Sequence, residues 1–248
     1  MGNGLRSYLA QSELFSFNLV RRDRWIGRQA SQLPAGTKVL DVGAGSCPYR
    51  DLFLHCEYRA QDLAPLRGDQ LRHGAYGRLD YVSDLAAIPV PDGSFGAVLC
   101  TEVLEHHPEP ITVVKELARI LEPGGKLILT APLGSGIHQE PYHYYGGYTP
   151  WWYEHFLGAA GFKDISIEPN EGSLRFFGQE ALRFVLSTNP LKMDLPFAIR
   201  LLWFPVWMVL LPLLGLLVPI LCKLLDRFDL ERRFTVGYHV TARRAELI

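Results

Sequence analysis

Three aspartates stand at positions where a carboxylate could bind a small polar ligand. Each lies in or directly after a short run of residues that predicts a strand: Asp41, Asp62 and Asp84. The first of these runs stops at Gly43–Gly45, whose two glycines permit positive φ angles and let a ligand approach the backbone closely. Because parallel strands end at one edge of a sheet, where ligands bind, we expect the three carboxylates to share a site. There they could contact a cationic group, a pair of ribose hydroxyls and an adenine amine.

The glycine loop helps to choose between two adenosine-containing ligands. A nicotinamide dinucleotide requires a third glycine, in the pattern G-x-G-x-x-G, so that a helix can approach the pyrophosphate. Pro48 occupies the place of that third glycine. We therefore expect an adenosine derivative without phosphates, and we keep the dinucleotide as the alternative ligand.

Apolar runs and turn residues predict the elements that position these residues. Short runs of strand-forming residues predict seven strands: Lys38–Val42, Tyr58–Gln61, Leu79–Ser83, Phe95–Cys100, Lys126–Thr130, Ile165–Glu168 and Tyr238–Ala242. Helical periodicity predicts four amphipathic helices between or before them: Ser12–Gln32, Pro108–Leu121, Pro150–Ala160 and Leu174–Leu186. Strands that alternate with helices are typical of a mostly parallel α/β sheet with helices on both faces, a Rossmann-like fold.

Three motifs resemble the class I S-adenosylmethionine-dependent methyltransferases. They are VLDVGAG (Val39–Gly45), DLAAIPVPDGSFGAVLCTEVLEHHPEP (Asp84–Pro110) and LEPGGKLILTAP (Leu121–Pro132). The resemblance extends from about Leu33 to Phe162, includes the last strand, and is greatest to the ubiquinone and menaquinone methyltransferases. It implies S-adenosylmethionine as the cofactor. The residues that it places around this cofactor are Asp41, Gly43, Ala44, Gly45, Asp62, Leu63, Asp84, Leu85, Cys100 and Thr101.

Histidines are the candidates for a catalytic base. Methyl transfer depends mainly on alignment of acceptor and methyl group, and a base helps when the acceptor is a hydroxyl. His106 lies in the Glu-His motif that the resemblance places near cofactor and substrate, whereas His107 precedes a predicted helix start and is expected to be structural. His138 and His143 follow the fifth strand in a loop that either sorts the acceptor or simply packs on the surface.

Composition excludes several classes of function. Lys and Arg number 25 against 26 Asp and Glu, so no basic excess favours a nucleic-acid partner. The four cysteines form no C-x-x-C pair, which argues against a zinc site and a disulfide framework, and we expect no metal. The first residues lack the continuous apolar core of a signal peptide, so we expect the chain to stay in the cytoplasm.

One segment does not fit a soluble α/β domain. Leu201–Cys222 has 22 residues without a charge, about 33 Å as a helix, which is long enough to span a bilayer. Its three prolines would be tolerated poorly in a buried core helix. The strand Tyr238–Ala242 must nevertheless rejoin a sheet made earlier in the chain, and basic residues flank both ends of the segment. We expect a bent helix, a helical hairpin or an interfacial helix that does not cross the membrane.

These features predict four parts of the chain and one function. The parts are an N-terminal helical cap (1–33), the cofactor-binding domain (34–190), an apolar membrane-associated insert (191–234) and the last strand (235–248). The expected function is a methyltransferase on the cytoplasmic side of a membrane, monotopic or peripheral, with a small-molecule, quinone-like, lipid or lipid-linked sugar acceptor. A membrane-anchored adapter that binds the cofactor without catalysis is the alternative.

Overall fold

The computed structural model describes residues 12–246, in which seven strands form one mixed sheet. The strands are β1 (Lys38–Val42), β2 (Glu57–Asp62), β3 (Tyr81–Val82), β4 (Phe95–Thr101), β5 (Leu121–Pro132), β6 (Phe162–Pro169) and β7 (Gly237–Arg244). Their order across the sheet is β3-β2-β1-β4-β5-β7-β6. The pairs from β3 to β5 are parallel, and β7 is antiparallel to β5. The predicted Rossmann-like sheet is confirmed.

Helices cover both faces of this sheet. The helices in the described residues are α1 (Phe17–Ser31), α2 (Pro110–Ile120), α3 (Pro150–Ala159), α4 (Ser173–Ser187), α5 (Phe197–Pro212) and α6 (Val218–Leu225). Trp25 of α1 packs in one core cluster with Leu99 of β4, whereas Val114 of α2 packs in another cluster with the neighbouring Val98. Successive residues of a strand point to opposite faces, so α1 and α2 lie on opposite sides of β4.

The central strand β1 carries the site residue Asp41 into the core. Val39 pairs with Tyr58 of β2 on one side and with Ala97 of β4 on the other. Val39–Val42 is buried along its whole length, as expected for a parallel strand covered on both faces. The strand ends at Val42, so the loop that begins at Gly43 opens at the carboxyl edge of the sheet.

Six of the seven predicted strands have different bounds in the structure, and only the third is shorter than predicted. The third is reduced to the two residues of β3. The fifth begins five residues earlier than predicted, at Leu121, and includes the turn-forming Pro123-Gly124-Gly125. Gly124 adopts a positive φ of 79°, and the pairing with β4 shifts register after Phe95, so β5 accommodates this sequence as an irregularity.

The described residues divide into two compact units, one of residues 22–168 with 237–246 and the other of 12–21 with 169–236. The predicted boundaries at residues 33 and 190 do not coincide with this division. Most of α1 belongs to the sheet unit, because Trp25 and Ile26 pack in its core. Helix α4 belongs to the other unit, because the indole Nε1 atoms of Trp207 and Trp203 donate hydrogen bonds to the Val185 and Thr188 carbonyls, each at 2.8 Å.

The apolar segment forms one helical run from Phe197 to Phe228, and not a hairpin. It consists of α5, a π-helical turn at Leu213–Leu217, α6 and a short 3₁₀ turn. The wider turn directly precedes α6, whose Pro219 has no N–H to donate to the carbonyl four residues earlier, within this turn. By length and composition this helix could cross a membrane, and 11% of its most apolar window is buried.

Candidate functional site

A cavity of about 260 Å³ opens at the carboxyl edge of β1, β2 and β4, within the sheet unit. Nine of the ten residues predicted to surround a cofactor line it: Asp41, Gly43, Ala44, Gly45, Asp62, Leu63, Asp84, Leu85 and Thr101. Cys100 is the exception, because its side chain is fully buried in the core cluster below. Alternation along β4 turns Cys100 into that core, and the next residue, Thr101, reaches the cavity.

The glycine loop has the backbone geometry that the sequence predicted. Gly43 and Gly45 adopt φ angles of +63° and +51°. A Cβ atom at Gly43 would lie 2.5 Å from Cγ2 of Val103, so this position has no room for a side chain. The loop therefore packs tightly against Val103, another residue of the cavity wall.

The carboxylate of Asp62 holds the glycine loop in place. Its Oδ2 accepts a hydrogen bond from the Gly45 amide at 2.9 Å, and its Oδ1 accepts one from the Ala64 amide at 2.7 Å. Each carboxylate oxygen has a second lone pair, so Asp62 can hold the loop and still accept hydrogen bonds from a ligand. Asp62 thus joins the ends of β1 and β2 at the cavity.

Asp41 is buried at the cavity floor beside Tyr58. The Tyr58 hydroxyl donates a hydrogen bond of 2.6 Å to Oδ2 of Asp41. The pKa of Asp41 is raised to about 7, mainly by burial and also by the nearby Asp62 carboxylate, although the Tyr58 hydrogen bond acts to lower it. A cationic ligand group beside Asp41 would favour its ionised form.

Asp84 and His107 form a pair at the exposed rim of the cavity. Nδ1 of His107 accepts a hydrogen bond from the Glu109 amide, so Nε2 carries the proton and donates to Oδ1 of Asp84 at 3.1 Å. A hydrogen bond from the Ala86 amide and the contact with His107 lower the pKa of Asp84. His107 thus orients Asp84.

Three charged residues of the cavity wall, Arg22, Arg72 and Glu102, were not predicted from the sequence. Arg22 of α1 forms an ion pair with Glu102, at 3.2 Å between Nη1 and Oε2. Glu102 follows β4, has a φ of +52°, and also accepts a 2.8 Å hydrogen bond from Oγ1 of Thr130. A positive φ is uncommon for a non-glycine residue, and this one turns Glu102 toward the cavity. The basic run at Arg21-Arg22 in the predicted first helix was the available signal.

The structure brings the three candidate catalytic histidines together. The ring centroid of His138 lies 4.8 Å from that of His106 and 4.6 Å from that of His143. Nδ1 of His106 donates a 2.6 Å hydrogen bond to the Tyr142 carbonyl, so its Nε2 holds a free lone pair. The pKa of His106 is lowered to about 4, mainly by burial and also by the neighbouring histidines, although the hydrogen bond to the Tyr142 carbonyl acts to raise it. His106 lines the cavity, whereas His138 and His143 do not.

Glu105 lies beside His106 and is fully buried. Neither carboxylate oxygen has a hydrogen-bond partner, and burial raises the pKa of Glu105 well above its ordinary value. One donor atom from each of Glu105, His106 and His138, which we call the donor trio, lies within 4.8 Å of the others. These three side chains could hold a divalent metal ion. The cysteine pattern of the sequence did not indicate this group of ligands.

Sequence comparison gives matches to methyltransferases. The family model described as a methyltransferase domain matches residues 40–129. The ubiquinone biosynthesis O-methyltransferase of Xanthomonas oryzae pv. oryzae (strain PXO99A) is 39% identical over 129 residues, which cover 48% of this chain and 52% of the relative. That of Xanthomonas campestris pv. campestris (strain B100) is 38% identical over 129 residues, with the same shares covered. The chain spans about half the length of these curated relatives.

Solved structures share the fold at low sequence identity. A putative sarcosine dimethylglycine methyltransferase from Galdieria sulphuraria superposes with a TM-score of 0.54 at 18% identity, over 92% of this chain and 87% of that chain. A phosphoethanolamine N-methyltransferase 2 from Haemonchus contortus, in complex with S-adenosylhomocysteine, gives 0.55 at 16% identity, over 97% and 57%. The resemblance predicted from the motifs is confirmed. Residues 40–129 of this chain match the model of a methyltransferase domain, and the chain is similar to curated methyltransferases over about half of its length.

Proposed function

We propose that this chain transfers a methyl group from S-adenosylmethionine to a small quinone-like or lipid acceptor. The observation that carries the proposal is that the glycine loop, Asp41, Asp62 and Asp84 all line one cavity at the carboxyl edge of the sheet. The name of the curated relatives, which act in ubiquinone biosynthesis as O-methyltransferases, favours a quinone-like acceptor.

His106 limits the kinds of acceptor that fit this site. Bound S-adenosylmethionine supplies a methyl carbon activated by the adjacent sulfonium. The acceptor atom forms the new bond to this carbon, the carbon–sulfur electron pair stays on sulfur, and a hydroxyl acceptor must lose its proton. Nε2 of His106 can take this proton, but a pKa near 4 makes it a weak base. A phenolic hydroxyl, with an ordinary pKa near 10 as in tyrosine, is a better partner for a weak base than an alcohol.

We also propose that the unit of residues 169–236 associates with one leaflet on the cytoplasmic side of a membrane. The supporting feature is the outward-facing apolar surface of the helix from Phe197 to Phe228. Helix α4 packs on the middle of this helix, where a Cβ atom at Gly215 would contact Val185.

A position across the bilayer would be costly for α4. Helix α4 contains an ion pair between Arg183 and Glu180, with Nη1 and Oε1 at 3.3 Å. If the apolar helix crossed the bilayer, α4 would enter the bilayer with it, and this ion pair would lie among the lipid tails. Charged side chains at that depth are expensive. Insertion into one leaflet leaves this ion pair near the headgroups.

Mass spectrometry tests the proposed reaction. Purified protein is mixed with isotopically labelled S-adenosylmethionine and a membrane extract that contains demethylated phenolic quinone precursors. We expect a labelled methyl ether of a phenolic lipid, with a lower rate for His106→Ala and unchanged cofactor affinity. Cofactor binding without a labelled product would favour the adapter, whereas a labelled sugar or phospholipid headgroup would replace the quinone-like acceptor.

A further inference from the structure

Two segments far apart in sequence form the roof of the cofactor cavity. Leu66, Gln70 and Leu71 belong to the loop after β2, and Gln139 and Tyr142 belong to the loop after β5. A ligand in the cavity can exchange with solvent only if the surrounding walls move or leave a gap. The contacts that join the two roof segments are therefore expected to control ligand exchange.

Two reciprocal hydrogen bonds join these roof segments. Nε2 of Gln70 donates to the Glu140 carbonyl at 3.0 Å, and Nε2 of Gln139 donates to the Gln70 carbonyl at 3.3 Å. Oε1 of Gln70 accepts a hydrogen bond from the Arg67 amide at 3.0 Å, which fixes the orientation of its side-chain amide. Each glutamine thus contacts the backbone of the opposite segment. We call this pair of interactions the glutamine latch.

Each roof segment is anchored separately on its own side of the cavity. In the first segment, the Leu66 amide donates to the Tyr76 hydroxyl at 2.9 Å, and Arg72 forms two hydrogen bonds to Asp23. In the second, the Tyr142 carbonyl accepts the 2.6 Å hydrogen bond from His106. The hydrogen bonds of these anchors are either shorter than those of the latch or, in the case of Arg72 and Asp23, formed between charged groups. The latch is thus the weakest connection around the roof, where opening costs least.

We propose that the glutamine latch gates exchange of the cofactor and its demethylated product. The inference rests on the proposed function, because it assigns the cavity to S-adenosylmethionine. The latch joins protein to protein and does not depend on a contact with the ligand. Its loss therefore speeds opening of the empty and of the filled cavity by the same factor. Association and dissociation rates rise together, and the dissociation constant stays the same.

Binding kinetics of S-adenosylhomocysteine test the proposal in Gln70→Met and Gln139→Met. Methionine keeps the length of the side chain and removes its amide. Loss of one neutral hydrogen bond is expected to raise both rate constants roughly two- to tenfold. Surface plasmon resonance on the immobilised full chain measures both. Gln179→Met, on helix α4 in the other unit, is the matched control and leaves both rates unchanged.

Three results would contradict the latch or its basis. Unchanged rates in both variants overturn the latch while the proposed function stands. A faster dissociation with an unchanged association rate also overturns it, because it shows a direct contribution of the glutamines to ligand affinity. If the wild-type protein does not bind S-adenosylhomocysteine, the proposed function fails and the latch fails with it.

Discussion

Replacement of Gly43 by alanine tests how the glycine loop forms the site. The added Cβ meets Cγ2 and Cγ1 of Val103 at 2.5 and 2.7 Å, and the backbone has a φ of +63°. The left-handed conformation costs a non-glycine residue about 1–2 kcal/mol. The steric overlap adds about 1–3 kcal/mol, as in other overpacked sites. We therefore expect Gly43→Ala to lower the free energy of unfolding by roughly 2–5 kcal/mol and to weaken S-adenosylhomocysteine binding.

Gly36 provides a matched control for this substitution. It has a φ of +77°, but nothing lies within 4 Å of a Cβ atom built there. Gly36→Ala should therefore cost only the conformational term of about 1–2 kcal/mol and leave binding unchanged. Urea unfolding, followed by circular dichroism, gives both free energies.

A double-mutant cycle separates steric overlap from backbone strain. Val103→Ala removes both overlapping methyl groups. The double variant should therefore be more stable than expected from the sum of the two single effects on the free energy of unfolding. We expect a coupling energy of about 1–3 kcal/mol. Strictly additive effects, or equal losses at Gly36 and Gly43, would refute the close packing of the loop on Val103.

Four further predictions concern the cofactor, pH, metal dependence and membrane topology. Asp62→Ala should weaken S-adenosylhomocysteine binding in calorimetry by about 1.5–3 kcal/mol, since a charge-assisted acceptor is lost; equal affinity would remove Asp62 from the site. The pKa of Asp41 is raised to about 7 in the folded protein, so its stabilising contribution is lost as pH rises through 7. Asp41→Asn should therefore be more stable relative to wild type at pH 8 than at pH 5 in urea unfolding, and a pH-independent difference would contradict this. Dialysis against EDTA should leave methyl transfer unchanged, whereas a loss restored by a divalent ion would assign the donor trio as a metal site. Single cysteines at Thr188 and Glu246, in a background without the native four, should both resist an impermeant maleimide in intact spheroplasts, and labelling of one alone would establish a crossing.

The aspartates of the site could be predicted from sequence because strand ends determine their position. Asp41, Asp62 and Asp84 each lie in or directly after the end of a predicted strand, and parallel strands bring such ends to one edge. The orientation of Cys100 could not be predicted in this way, because β4 continues to Thr101 and a shift of one residue along a strand reverses the face.

Residues supplied by other parts of the chain were harder to predict. Arg22 reaches the cavity because helix α1 packs on the sheet, and nothing in the local pattern fixes that packing. The contact between His106 and His138 depends on the path of an irregular loop, which has no periodicity from which its path could be inferred. The glutamine latch is missed for the same reason, since the loops that it joins are about 70 residues apart.

Calorimetric titration with S-adenosylhomocysteine and, separately, with a nicotinamide dinucleotide tests most directly whether the cavity belongs to a methyltransferase. We predict saturable one-to-one binding of S-adenosylhomocysteine that is weakened by Asp62→Ala, and no binding of the dinucleotide, since Pro48 stands where its pyrophosphate requires a glycine. Tighter binding of the dinucleotide, or no heat of binding with S-adenosylhomocysteine, would contradict the assignment.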